Sequence, residues 1–132
     1  MEKSRYGIKV RSRLSAEEAE ARVRESLAGE GFSVLTEIDV AATLKEKLGV
    51  ERPFYKILGA CNPHLASEAL DAEEDVGLLL PCNVVVYEAE GGSVVAALDP
   101  GAMGELAASP DLEPLMREAR SRVERSLAAV EE

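Results

Sequence analysis

The sequence predicts an α+β fold for a single domain spanning residues 1–132, and three observations predict it. Apolar residues recur with a period of two in several short runs, capped segments with helical spacing separate those runs, and the chain closes on a hairpin signal followed by one long amphipathic helix. That mixed order favours α+β over a doubly wound α/β sheet.

Taken in order, Tyr6, Ile8, Val10, Ser12 and Leu14 alternate with Lys9, Arg11 and Arg13, which predicts a half-buried strand with a basic outer face. Ser15-Ala16-Glu17-Glu18 is a capping box, and Ala16, Ala19, Val23 and Leu27 form the buried stripe of a helix that stops near Gly29 and Gly31. Phe32, Val34, Thr36, Ile38 and Val40 alternate again, so the first unit reads as strand, crossover helix, strand. A short helix over residues 41–47 turns Leu44 and Leu48 inward and ends at Gly49. Residues 54–61 are apolar on both faces except for Lys56, as suits a central strand.

Asn62-Pro63 supplies an N-cap and a proline at the first helical position, with Leu65, Ala66, Ala69 and Leu70 as the buried stripe. After an acidic loop, residues 78–87 read as a strand punctuated by Pro81. Glu90-Gly91-Gly92-Ser93 signals a hairpin, and residues 94–98 return. Asp99-Pro100-Gly101 breaks the chain before a small helix over residues 102–107. Ser109-Pro110 starts the last helix, where Leu112, Leu115, Met116, Ala119, Val123, Leu127 and Val130 keep helical spacing. Its outer face carries Glu113–Arg117, Glu118–Arg122 and Arg120–Glu124 pairs four residues apart.

Composition narrows the functional classes. At 132 residues, 46% hydrophobic and 30% charged, the chain buries a core without staples and is not disordered. Trp is absent, so Val, Leu, Ile and Ala must build that core. The charged opening Met1-Glu2-Lys3-Ser4-Arg5-Tyr6 has no apolar signal segment. The longest apolar stretch, residues 76–87, is interrupted by Pro81 and Asn83 and is too short to span a bilayer. A cytoplasmic location without membrane association is therefore expected. The net charge is −10, with no Lys or Arg between Lys56 and Arg117 while acids gather at Glu68, Asp71, Glu73, Glu74, Asp75, Glu88 and Glu90. Such a surface repels phosphate backbones and disfavours nucleic acid; its bland reading is a solvated acidic face. The absence of Gln and the scarcity of Asn fit a thermophilic source or biased codon usage.

The two asparagines each follow one of the two cysteines, at Cys61-Asn62 and Cys82-Asn83. Cys61 ends a strand where a helix begins, so the helix dipole is expected to lower its pKa. If the strands carrying Cys61 and Cys82 are neighbours, the two pairs meet near one end of the sheet. Three readings compete: small buried hydrophobes with Asn62 as a cap, a thiol or ligand-binding pocket, and a bridging disulfide. Two Cys and the single His64 are too few soft ligands for a metal, and no cofactor is expected. His64, three residues after Cys61, suggests a Cys/His pair or a plain first-turn histidine. Asp99 directs a carboxylate into a pocket or simply caps its own turn. Lys9, Arg11 and Arg13 suit an anion or solvent. Phosphate-binding glycine loops and Gly-x-Ser-x-Gly or His-Glu-x-x-His motifs are absent from the sequence.

The stretches Pro53-Phe54-Tyr55-Lys56-Ile57-Leu58-Gly59-Ala60-Cys61-Asn62-Pro63 and Gly77-Leu78-Leu79-Leu80-Pro81-Cys82-Asn83-Val84-Val85-Val86 resemble the domain-of-unknown-function 302 family (DUF 302). Thr36-Glu37-Ile38-Asp39-Val40 with Leu44-Lys45, and Asp99-Pro100 before Met103, are similar too. The resemblance implies a TATA-binding-protein-like fold, in which a curved, mainly antiparallel sheet carries helices packed on one face, and it implies homodimers. It would recast the first crossover as a connection within an antiparallel sheet. It transfers no catalytic residue. DNA binding does not follow from the fold, since the chain is acidic and lacks paired Phe wedges.

The leading expectation is a non-enzymatic cytoplasmic domain that binds an unidentified small ligand or partner, with Cys61, Asn62, Cys82 and Asn83 lining the site and His64 and Asp99 as further candidates. The runner-up is a thiol redox or nucleophilic enzyme using Cys61, with Cys82 resolving. The third is a homo-oligomeric structural module.

Overall fold

The computed structural model describes residues 1–131. Six strands among them form one sheet: β1 (Glu2–Lys3), β2 (Gly7–Ser12), β3 (Ser33–Asp39), β4 (Tyr55–Cys61), β5 (Cys82–Ala89) and β6 (Gly92–Leu98). Their spatial order is β1-β2-β6-β5-β4-β3, and every neighbouring pair is antiparallel. The helices are α1 (Ala16–Gly29), α2 (Val40–Leu48), α3 (Pro63–Ala72), α4 (Pro100–Ala107) and α5 (Glu113–Ala128). The α+β expectation and the long C-terminal helix hold.

The first unit is not a parallel crossover. Four antiparallel steps separate β2 from β3, so the two strands point the same way without touching, and α1 carries the chain from one side of the sheet to the other. Local alternation reports that a strand exists but not which strand it pairs with. The register aligns Ile8, Ala97, Val84 and Leu58 across four strands on one face, with Val10, Val95 and Val86 in the next row. These side chains pack against Ala16, Ala19, Val23 and Leu27 of α1 and Val123 and Leu127 of α5. Full burial of each Leu or Val is worth roughly 1.5–3 kcal/mol, so this layer is the main source of stability.

Small polar devices set how closely the helices approach. Ser15 and Glu18 form the capping box of α1. Where α1 meets α5, Ser26 Oγ donates to the Ser126 carbonyl at 2.8 Å, and Ser126 is fully buried with its hydroxyl bonded to the Arg122 carbonyl. The expected pairs Glu113–Arg117, Glu118–Arg122 and Arg120–Glu124 are all present on α5. Lys56 is not an outlier on its strand, because Glu20 and Glu37 hold its ammonium at 3.1 Å each, which raises its pKa.

Some expected boundaries shift. Residues 78–79 belong to a 3-10 turn, Glu74–Leu79, and the strand starts at Cys82, since Pro81 has no N–H to give a ladder. The last helix starts at Glu113, not at Ser109-Pro110; residues 109–112 form the turn before it. Leu48 and Leu70 do not join the core, being 70% and 43% exposed. Both lie near the ends of short helices, where spacing alone does not bring a partner surface. The sheet is a row longer than expected at its edge, because Glu2 and Lys3 pair with Lys9 and Ile8.

Candidate functional site

Two hollows lie on either side of α4. The inner one is a cavity of about 40 Å³ lined by Phe32, Ala60, Cys61, Asn62, Cys82 and Met103, among others, and is almost wholly apolar. Cys82 pairs in register with Ala60, which brings it beside Cys61 at the adjoining strand end. Both cysteines are free, so no disulfide joins them. Cys82 is buried and its Sγ donates to the Leu98 carbonyl at 3.6 Å. Burial first, then the charges of Asp99 and Cys61, push its pKa up to about 12. Burial also raises the pKa of Cys61. The direction is opposite to the lowering expected at the start of α3, and its cause is loss of solvent. Neither thiol is poised as a thiolate.

Asn62 is buried and fully employed. Its Oδ1 accepts from the Leu65 N–H at 3.3 Å, capping α3, while its Nδ2 donates to the Glu30 carbonyl at 3.4 Å. The same carbonyl accepts from Arg122 Nη1 at 2.9 Å. One backbone oxygen at the end of α1 thus joins α1, α3 and α5. Gly31 follows with φ of 85°, and a Cβ there would sit 3.1 Å from the Asn62 amide nitrogen, so glycine lets the joint close.

Asn83 goes elsewhere. Adjacent strand residues alternate, so it lies on the opposite sheet face from Cys82, exposed and beside Gly59 and Thr36. His64 is exposed in the first turn of α3 and shares no hydrogen bond with Cys61 among the described residues. The structure therefore gathers Cys61, Asn62 and Cys82, and separates Asn83 and His64 from them.

The outer hollow is a cleft of about 680 Å³ between the N-terminal segment, α4 and the start of α5. Its floor is the small residues Gly101, Ala102, Gly104 and Ala108, and its walls carry Arg5, Asp99, Glu105, Glu113, Arg117 and Arg120. Asp99 is the sixth sequence candidate, and here both readings of it coincide. It is 7% exposed, its Oδ1 caps α4 by accepting from Gly101 N–H at 2.8 Å, and Arg120 Nε lies 3.3 Å from the same oxygen. Arg120 Nε itself is buried without a well-aligned hydrogen bond among the described residues. Ala108, the residue after α4, holds a left-handed φ of 51°, uncommon without glycine.

Sequence reasoning missed this cleft. Arg117 and Arg120 register in the sequence as surface charges, and Arg5 is over a hundred residues away. The available signal was Asp-Pro-Gly opening a helix of small residues just before an arginine-rich one.

No curated protein matches the chain. A solved structure, described as an uncharacterized conserved DUF302 protein from Bacillus stearothermophilus, matches with a TM-score of 0.89 at 29% identity. The match covers 96% of this chain and 99% of that one. The model of the family described as Domain of unknown function DUF302 matches residues 8–130. With the family model matching residues 8–130 and the fold agreeing over nearly the whole length, the chain belongs to the DUF302 family.

Proposed function

We propose that this chain is a cytoplasmic small-ligand-binding domain whose site is the cleft walled by Arg5, Asp99, Glu105, Arg117 and Arg120. One observation carries the reading: a hollow of about 680 Å³ combines a floor of Gly and Ala with converging charged side chains. That volume falls in the range of roughly 300–1,000 Å³ usual for small-molecule pockets. The Cys61 cavity, at about 40 Å³, has room for little more than a water and is apolar. The thiol-enzyme reading loses its support, because burial raises both cysteine pKa values. A fragment library followed by amide chemical shifts tests the proposal. Fragments should move the Gly101, Ala102, Gly104 and Ala108 signals while leaving Cys61 and Cys82 unmoved; a library that leaves the cleft amides silent ends it.

A second reading, homodimerisation, rests on the sheet face away from α1 and α5. Ile38, Ile57, Val85 and Ala96 form a continuous apolar row there, flanked by the stacked rings of Tyr55 and Tyr87, 5.5 Å apart. A solvated antiparallel face is ordinarily polar. The lone Asn83 amide on a central strand is self-complementary as donor and acceptor, which favours a second copy over a different partner. Light scattering on wild type and Val85→Lys checks this: a dimer that the substitution dissociates supports it, and a wild-type monomer at high concentration rejects it.

A further inference from the structure

We infer that the cleft selects a small zwitterion, a molecule carrying one carboxylate and one ammonium group; this rests on the cleft being the binding site. Six charged side chains line it, and they balance: Arg5, Arg117 and Arg120 against Asp99, Glu105 and Glu113. Four are already matched within the protein. Arg117 pairs with Glu113, and Arg120 Nε lies 3.3 Å from Asp99 and 3.4 Å from Glu124. The remaining two, Arg5 and Glu105, make no ion pair with each other or with any other group among the described residues. One unmatched cation and one unmatched anion therefore border the same hollow.

The hydrogen-bonding capacity left over has the same dual character. Asp99 uses Oδ1 for the α4 cap and for Arg120, and Oδ2 accepts no hydrogen bond among the described residues, so a second acceptor remains in the lining to which Glu105 also belongs. A protonated amine supplies the donors that such oxygens require. Arg5 has a full guanidinium fork, the geometry that takes a carboxylate in two parallel bonds.

Simpler ligand classes fit less well. A dianion would face Glu105 and Glu113 in a chain of net charge −10, and a dication would face three arginines. The N–H groups at the start of α4 do not form an anion cradle, because Gly101, Ala102 and Met103 already donate to Asp99. A molecule that carries both charges matches the unpaired Arg5 and the unpaired Glu105 of the lining.

The test uses three linear molecules of equal chain length, 5-aminopentanoate, glutarate and 1,5-diaminopentane, titrated by calorimetry at matched ionic strength. The zwitterion should bind at least tenfold more tightly than either of the others. Glu105→Lys should reverse the preference towards glutarate, and Arg5→Glu towards the diamine; both sites are exposed, so both variants should fold. Equal or tighter binding of glutarate or the diamine to wild type overturns the inference while leaving a ligand-binding cleft intact. Silence from all three overturns it as well, and the fragment experiment then decides separately whether the cleft binds anything.

Discussion

The two hollows that share α4 as a wall are opposites. On one side Pro100 and Met103 line a narrow apolar space of about 40 Å³ beside the cysteines; on the other, Gly101, Ala102 and Gly104 floor a broad, charged cleft of about 680 Å³. Met116 of α5 borders both. The inner region holds both cysteines and one of the two asparagines, and their work there is packing and capping. The outer region is built from common residues, and its charges are left partly unmatched. Rarity in sequence thus marked a structural joint, while the better candidate for function has an ordinary composition.

The contrast breaks first at the wall itself. Met103 is 6% exposed, and Met103→Ala would open the inner cavity towards the cleft. Removing so much buried side chain should cost about 2–4 kcal/mol, read by urea unfolding. A loss below about 1 kcal/mol would mean that the two hollows are not held apart by packing.

The next test is alkaline pH. In the unfolded chain the Cys82 thiol ionises near its ordinary value of 9.0, whereas in the fold it is held up to about 12. The folded state thus keeps a proton that the unfolded state releases, and stability falls as pH rises above 9. Between neutral pH and pH 10.5, wild type should lose about 2 kcal/mol more than Cys82→Ala, which lacks the group while retaining every other titrating side chain. Parallel curves for the two proteins would refute the burial of the Cys82 thiol beside the inner cavity.

The sequence made the elements legible and left their assembly unread. Period-two runs identify β2 and β3 because a half-buried strand must alternate, continuous apolar runs and the Gly91-Gly92 turn identify β4 to β6, and Ser15-x-x-Glu18 and Asn62-Pro63 mark two helix starts because orphan N–H groups need those side chains. Nothing local places β2 and β3 at separate positions across the sheet, since pairing is decided by which strands share the core layer. The separation of Cys82 from Asn83 follows from alternation alone, and was readable once both were placed in one strand. The cleft was not readable, because Arg5 meets Arg117 and Arg120 only through tertiary packing.

Asn62→Ala probes the joint with a smaller effect. It removes the α3 cap and one of the two donors to the Glu30 carbonyl, for an expected loss of about 1–2 kcal/mol. Asn62→Asp should recover the part due to the cap but not the part due to the amide N–H, so its stability should fall between the two. Equality of the Asp and Ala variants would show that the Glu30 contact, rather than the cap, carries the effect.

The smallest expected effects are in the cleft, and they sharpen the comparison most. Arg5→Gln and Glu105→Gln remove exposed charges without ion pairs among the described residues, so each should change stability by no more than about 0.5 kcal/mol. A side chain that carries the fold cannot be removed at so little cost, whereas a ligand contact or a solvated surface charge can. Thermal unfolding of these two variants beside Asn62→Ala makes the distinction directly. If Glu105→Gln destabilises the protein as much as Asn62→Ala, the cleft charges belong to the scaffold, and the division of labour across α4 disappears. If both cleft variants melt with wild type, the unmatched charges contribute nothing to the fold, and they stay free to meet solvent or an external molecule, which the titrations of the cleft tell apart.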